Sequence, residues 1–215
     1  EIGSGLVGSE MCIRDRLCLH NLLLVLSGRQ DNARLQREKL LRDYPLNATL
    51  WWLNWFDGRS ESALAQWRGL CQGRDVNALM TAGQLINWGM PALAAEMLNA
   101  LDCQRTLPLY LQASLLPKAE RGELVVKAID AFPQFVRFPN TLEEVAALES
   151  IEECWFARHL LACFYYNKRS YGKAIALWQR CVEMSPEFAD GWRGLAIHAW
   201  NKQHDYEPVS YTHLT

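Results

Sequence analysis

The side chains with the greatest chemical potential are Cys154, His159 and Cys163, in the last third of the chain. Thiolates and imidazoles are the ligands that zinc prefers in proteins. Spacings of five and four residues turn these three side chains in different directions around a helix, and no second Cys/His pair supplies the remaining ligands. We therefore expect no metal site and no cofactor.

The other titratable residues do not form a recognisable catalytic set. The pairs Glu143-Glu144 and Glu152-Glu153 are adjacent in sequence, so on a helix their side chains point about 100° apart and cannot flank a substrate. No nucleophile or orienting carboxylate is evident beside His159 in the sequence, which favours a partly buried or groove-lining histidine over a general base. Phosphate-binding, zinc-hydrolase and serine-hydrolase motifs are missing from the sequence. We expect no catalytic residues here and no enzyme activity for this stretch of chain.

Both ends of the sequence resemble translated sequencing-adapter read-through: residues 8–16 at the start and 207–215 at the end. We therefore assign 1–16 and 207–215 as foreign to the protein, with irregular structure expected, and interpret 17–206 as a fragment cut within a larger protein. Excluding both ends takes two of the 22 basic residues and four of the 24 acidic ones, which leaves twenty of each. A neutral chain argues against nucleic acid as a partner.

The cysteines and the hydropathy indicate the compartment. Six cysteines remain when Cys12 is excluded, they are scattered without a Cys-x-x-Cys pair, and most fall at helix-core positions. This usage predicts reduced, buried thiols in a cytoplasmic protein. No apolar run is long enough to span a bilayer, so no membrane association is expected.

A repeat organises the elements that carry these residues. A shift of 34 places lays Leu161-Ala162 on Leu195-Ala196 and Asn167-Lys168 on Asn201-Lys202. Small and aromatic residues recur at matching spacing in an upstream segment, with Ala63 and Trp67 corresponding to Ala174 and Trp178. The pattern predicts an all-α chain of helical hairpins that bury their apolar faces against neighbours. Asn47 is predicted to cap one helix, and Thr141 with Glu144 forms a predicted capping box for another.

The aromatic cluster Trp51, Trp52 and Trp55 leaves two interpretations open. The rings fit a thick core between helices, because they fill helix crossings well. They also fit a platform that stacks on sugar rings, which would make the chain the helical part of a carbohydrate-active enzyme.

The repeat resembles the tetratricopeptide-repeat family. The residues that carry the resemblance are Leu161, Ala162, Tyr165, Ala174, Cys181 and Pro186. The segment from Tyr44 to Lys202 is also similar to an enterobacterial family that joins an N-terminal β-rich domain of unknown function to C-terminal helical repeats. Relatives of that family suggest an association with carbohydrate metabolism.

The resemblance implies a right-handed α-solenoid, with degenerate hairpins over 17–140 and tetratricopeptide repeats over 141–206, the last of them truncated. It implies a scaffold that binds a protein or peptide, with the N-terminal domain of the same protein as a candidate partner. The concave face it implies consists of Phe156, His159, Cys163, Tyr166, Asn167, Arg193, Ile197, Trp200 and Asn201. A ligand bound by its terminal carboxylate is not expected, because His159 and Cys163 replace the Lys and Asn of that pattern.

Overall fold

The computed structural model describes residues 4–72, 74–131 and 137–203, with side chains described from 13 to 201. The described residues are helical with no strand, so the fold is all-α. The chain divides into two compact units, Glu1–Pro108 and Leu109–Thr215. The helices are α1 (Ser4–Leu26), α2 (Gln30–Asp43), α3 (Ala48–Gly58), α4 (Glu61–Cys71), α5 (Asp75–Asn87), α6 (Pro91–Leu101), α7 (Thr106–Ser114), α8 (Gly122–Asp130), α9 (Leu142–Glu149), α10 (Trp155–Asn167), α11 (Tyr171–Met184) and α12 (Ala189–Gln203), with a 3₁₀ turn at Lys118–Glu120.

Helices in the first unit pair as hairpins: α1 with α2, α3 with α4, and α5 with α6. The first helices α1, α3 and α5 also contact one another in succession. The turns after α1 and α5 use Gly28 and Gly89, both with φ of 76°. A left-handed residue directly after a helix costs a glycine little, because glycine has no Cβ to clash with the following carbonyl.

Two of the three tryptophans of α3 lie in the core of this unit. Trp52 is 1% exposed and Trp55 8%, and the ring of Trp55 stacks on that of Trp67 with 5.9 Å between centroids. The Arg59 guanidinium covers the Trp55 ring at 4.5 Å. Trp51 is half-buried, with its indole N–H donated to the Pro45 carbonyl at 2.8 Å. A sugar platform requires exposed ring faces, so Trp52 and Trp55 cannot contribute to one.

A buried arginine joins α1, α2 and α3. Arg37 is 3% exposed, and its guanidinium donates to Asn21 at 3.1 Å and to Asn54 at 3.2 Å and forms an ion pair with Asp57. The buried guanidinium is therefore paired with a carboxylate and two amide oxygens, as burial of an ion requires.

Several sequence predictions can be compared with these elements. Asn47 accepts a hydrogen bond from the Leu50 amide at 3.0 Å, which confirms the predicted cap of α3. The capping box of Thr141 and Glu144 is also confirmed. A proline at 117 predicts the start of a helix there, but Pro117 precedes only the 3₁₀ turn, and α8 begins at Gly122.

The predicted segment boundaries differ from the structural ones. Helix α1 begins at Ser4, inside the segment for which irregular structure was predicted. Asp15 in that segment accepts a hydrogen bond from Gln84 of α5 at 3.0 Å, so α1 contacts α5 within the first unit. The two compact units divide after Pro108, while the change from degenerate to regular repeats at 140 stays a prediction. The segment 207–215 lies outside the described residues.

In the second unit, α10 packs against α9 and α11, and α11 packs against α12. Ala162 and Ala174 are fully buried in one cluster with Trp178. Since both side chains are small, α10 and α11 can approach each other closely at this point. Over the part of the chain that is described, no helix combines the length and apolar character that crossing a membrane requires.

Candidate binding cleft

A cleft of about 520 Å³ opens within the second unit. Its walls come from α10, α11 and α12 and from the extended residues before α9. The lining residues are Phe138, His159, Cys163, Tyr166, Asn167, Trp178, Asp190, Arg193, Gly194 and Ile197.

Six of the nine residues predicted for the concave face line this cleft: His159, Cys163, Tyr166, Asn167, Arg193 and Ile197. Their convergence follows from helical spacing, since residues three and four apart share a face. Leu161 on α10 and Leu195 on α12 are equivalent positions of the repeat, 34 residues apart. The residues that α10 and α12 contribute therefore come from equivalent helices of two successive repeats.

The other three predicted residues lie elsewhere. Phe156 is 0% exposed and packs with Tyr110, the two ring centroids 6.5 Å apart, so it belongs to the core and cannot face a ligand. Asn201 lines an adjoining cleft of about 540 Å³, where its amide donates to the Tyr166 hydroxyl at 3.1 Å. Trp200 is 60% exposed on α12 and lines neither of these two clefts.

His159 lies at the base of the cleft and is held as a neutral ring. The indole N–H of Trp178 donates to its Nδ1 at 3.3 Å. Because indole is only a donor, Nδ1 must be unprotonated, and the ring proton is on Nε2. Burial lowers the pKa of His159 to about 4, against the opposing effect of the Asp190 carboxylate. A second proton, on Nδ1, would also set two N–H donors against each other.

Cys163 lies next to this histidine, with Sγ 3.6 Å from Nε2. The spacing of four residues therefore brings these two side chains together, and the prediction that they point in different directions was wrong for this pair. The thiol is nevertheless not activated, because burial, and after it the Asp190 charge, raises the pKa of Cys163 to about 11. A catalytic cysteine needs a lowered pKa and a base free to accept its proton. Nε2 already carries the ring proton, so the pair does not form a thiolate–imidazolium nucleophile.

Trp178 forms the floor of the cleft and is 4% exposed. Gly194 of α12 lies directly over its ring, where an added Cβ would be 2.4 Å from Cε2. The sequence predicted Trp178 as a core residue only and did not predict a role for Gly194. The one available signal was the Gly191 and Gly194 pair within a helix, where glycine is otherwise unfavourable.

The extended residues before α9 close one side of the cleft. Phe138 is 50% exposed at its mouth, and the segment is held by Glu144, which is 3% exposed. Glu144 accepts the Asn140 amide proton at 2.6 Å. It also forms an ion pair with Arg137 at 3.1 Å whose geometry falls short of a hydrogen bond. The sequence also predicts that Phe135 and Val136 pack back on the helices, but both residues lie outside the described part of the chain.

The rim carries charge of both signs. Asp190 is half-buried and Arg193 is exposed, both on the first turns of α12. Within the described ranges, neither takes part in a salt bridge, and no group of three or more His, Cys, Asp and Glu side chains could hold a metal ion. The arrangement offers an apolar floor with hydrogen-bonding and charged groups around it. No protein-family model matches the chain.

Proposed function

We propose that the chain is a non-catalytic helical scaffold of the tetratricopeptide type that binds an extended segment of a protein in the cleft of its second unit. The observation that carries the proposal is the convergence of α10, α11, α12 and residue 138 on one open cleft of about 520 Å³. Clefts with an apolar floor and a few polar groups at the rim are where proteins bind ligands.

The floor and walls suit an apolar side chain. Trp178 forms the floor, while Phe138 and Ile197, 50% and 43% exposed, form opposite walls. Burying one such side chain of a partner supplies about 1.5–3 kcal/mol.

The rim suits a polypeptide backbone. The exposed Asn167 amide offers donors and an acceptor, and Tyr166 adds a hydroxyl. An extended chain presents unpaired N–H and C=O groups that such side chains can satisfy. Asp190 and Arg193 can then select side chains of opposite charge on either side of the apolar residue.

The state of His159 and Cys163 favours binding over catalysis. The thiol has a raised pKa and the imidazole a lowered one, so both are neutral near pH 7. Two neutral groups packed at the base of a cleft serve as a wall.

The family resemblance supplies the wider expectation of a right-handed solenoid in the cytoplasm. The N-terminal β-rich domain of the same protein is the first partner to consider. The thiols at Cys18, Cys71, Cys103, Cys154, Cys163 and Cys181 are free, which supports a reducing compartment.

The direct test is an array of immobilised hexapeptides, including those that tile the family's β-rich domain, probed with labelled 215-residue protein. We expect a subset with a central apolar residue to bind. Ile197→Asp should weaken their binding by about tenfold, or roughly 1.4 kcal/mol, because it places a carboxylate against an apolar side chain.

Val126→Asp is the matched control, since Val126 is 57% exposed on α8 and lines neither cleft. Equal loss in both variants, or no binding peptide on the array, would contradict the proposal.

A further inference from the structure

A separate cleft, of about 450 Å³, lies within the first unit at the ends of α4 and α6. Two cysteines line it: Cys71, the last residue of α4, and Cys103, in the turn that follows α6. Cys71 is 5% exposed, whereas Cys103 is half-buried. Two thiols on one cleft can form a disulfide with each other, which is a chemistry that neither cysteine has alone.

A hydrogen bond shows how the two helix ends lie beside each other. The Arg68 guanidinium of α4 donates to the Ala100 carbonyl of α6 at 2.7 Å. Since α4 and α6 are the second helices of successive hairpins, they run in the same direction. Cys71 and Cys103 each stand three residues beyond this bond in sequence, so they come to the same height along the two helices.

The titration of the two thiols agrees with their position on one cleft. Burial first, and after it the charge of a Cys103 thiolate, raises the pKa of Cys71 to about 12. Burial also raises the pKa of Cys103, against the opposing effect of the Arg105 backbone N–H. Both groups are therefore protonated thiols near pH 7, and each is close enough to respond to the charge of the other.

Both cysteines lie where the backbone leaves a helix. Gln72, directly after Cys71, is extended, and Asp102, directly before Cys103, is left-handed with a φ of 51°. Residues at helix ends make fewer helical hydrogen bonds than residues in the middle of a helix. A small adjustment to the Cα separation of about 4.4–6.8 Å that a disulfide needs therefore disrupts little of α4 or α6.

We propose that Cys71 and Cys103 are a redox-sensitive pair, which forms a reversible disulfide by exchange with a small-molecule disulfide of the glutathione type. The bond ties the end of α4 to the turn after α6. The free thiols are then the reduced form of the pair. The inference does not depend on occupation of the cleft in the second unit.

The exchange proceeds in two balanced steps. The thiolate of Cys103, the more exposed of the two, attacks one sulfur of glutathione disulfide, and the first glutathione leaves with the proton that Cys103 gave up. The Cys71 thiolate then attacks the Cys103 sulfur, and the second glutathione leaves with the Cys71 proton. Two protein thiols and one glutathione disulfide thus become one protein disulfide and two glutathione thiols.

The raised pKa values set the speed and the direction of the exchange. A thiolate of high pKa is rare near pH 7, and its greater nucleophilicity offsets only about half of that loss. We therefore expect oxidation over hours. Because the protein stabilises neither thiolate, the reduced pair gains nothing from ionisation, and the disulfide is comparatively hard to reduce once it has formed.

Intact-mass measurement and peptide mapping of the folded, full-length chain test the pairing. In a chain with Cys12→Ser, glutathione disulfide should lower the mass by two hydrogen atoms and link the peptides of Cys71 and Cys103. Adding Cys71→Ser should stop the reaction at a mixed disulfide on Cys103, because no second thiol then displaces the glutathione. Adding Cys103→Ser should leave Cys71 unmodified, because that thiol is buried.

Cys163→Ser is the matched control, since Cys163 is another half-buried cysteine and lines a different cleft. This variant should give the same link between Cys71 and Cys103 as its parent. A disulfide between other cysteines, or a mixed disulfide on Cys103 that persists beside an intact Cys71, would overturn the proposal. A folded chain that does not react, when the same chain in urea does, would overturn it too.

Urea unfolding of the oxidised chain supplies an independent measurement. Cys71 and Cys103 stand 32 positions apart, and a bond between them restricts the unfolded chain. We expect the midpoint to rise by roughly 1 M urea and to return to its starting value with dithiothreitol. The Cys71→Ser chain with its mixed disulfide should show no such rise. An unchanged or lowered midpoint of the bridged chain would mean that the fold does not accommodate the bond.

Discussion

His159 connects burial, hydrogen bonding and function at the scale of one residue. The side chain is 7% exposed, and its neutral form is fixed by the Trp178 indole. Because the pKa of the ring is lowered and Nδ1 already accepts a hydrogen bond, His159 is a weak base near neutral pH. It also makes the second unit sensitive to acid.

The lowered pKa of His159 predicts a loss of stability as the pH falls. The unfolded ring titrates near 6.5 and the folded ring near 4, so between these values the unfolded chain binds more protons. This contribution is complete above pH 6.5, falls steadily below it, and reaches a loss of about 3 kcal/mol at pH 4.

Urea unfolding at pH 7, 5.5 and 4 measures the effect of His159. The control is His159→Gln, whose amide oxygen can still accept from Trp178 but does not titrate. We expect the variant to lack the additional acid sensitivity of the parent. Identical pH profiles for the two proteins would contradict a buried neutral imidazole.

Gly194 and Gly172 give a matched pair of substitutions. Gly194→Ala forces a methyl group into the Trp178 ring, whereas a Cβ at Gly172 meets nothing within 4 Å. We expect Gly194→Ala to destabilise the protein by about 1–3 kcal/mol. Gly172→Ala should be neutral or stabilising by up to about 1 kcal/mol, because alanine favours the helix. The midpoints of urea unfolding measure both changes in stability. Equal effects of the two substitutions would mean that α12 does not pack on Trp178 as described.

At the scale of the element, the hairpin of α10 and α11 is the part that the sequence predicted best. The repeat pattern placed the small residues Ala162 and Ala174 on paired helices, and both are fully buried. Periodicity specifies which residues share a face, and two small residues specify where two helices meet. Helix caps are local too, which is why Asn47 and Thr141 were predicted correctly.

The sequence did not predict how deeply each residue is buried or which distant segments pack against it. Phe156 shares a helical face with cleft residues, but its ring is covered by Tyr110 of α7, a contact that no periodicity within α10 reveals. Asp190 and Phe138 enter the cleft from separate segments. The periodicity within one helix shows on which side of the helix a residue lies, but it does not show which other segments cover that side.

The buried ion network of α2 predicts a large and specific destabilisation. Arg37→Met leaves Asp57 and two amide groups without their cation, and we expect a loss of about 3–5 kcal/mol by urea unfolding. Adding Asp57→Leu should recover much of it, because the unpaired charge is then removed.

The exposed pair of Arg34 and Glu38 on the same helix is the control. Arg34→Met should change stability by no more than about 0.5 kcal/mol. A small effect of Arg37→Met would mean that the network is open to water.

At the scale of the whole molecule, the chain consists of two helical units with different polar content. The first buries the ion network around Arg37 and the rings of Trp52, Trp55 and Trp67. The second leaves polar groups at the rim of a cleft. This division places the candidate binding cleft in the second unit.

The proposed cleft is tested most directly by the indole N–H resonance of Trp178 in a ¹⁵N-labelled chain, identified with Trp178→Phe. Titration with a hexapeptide selected on the array should shift this resonance, because the indole forms the cleft floor and donates to His159. The indole of Trp67, 0% exposed in the first unit, should not move. A peptide that binds while the Trp178 resonance stays in place would contradict the assignment of the cleft as the binding site.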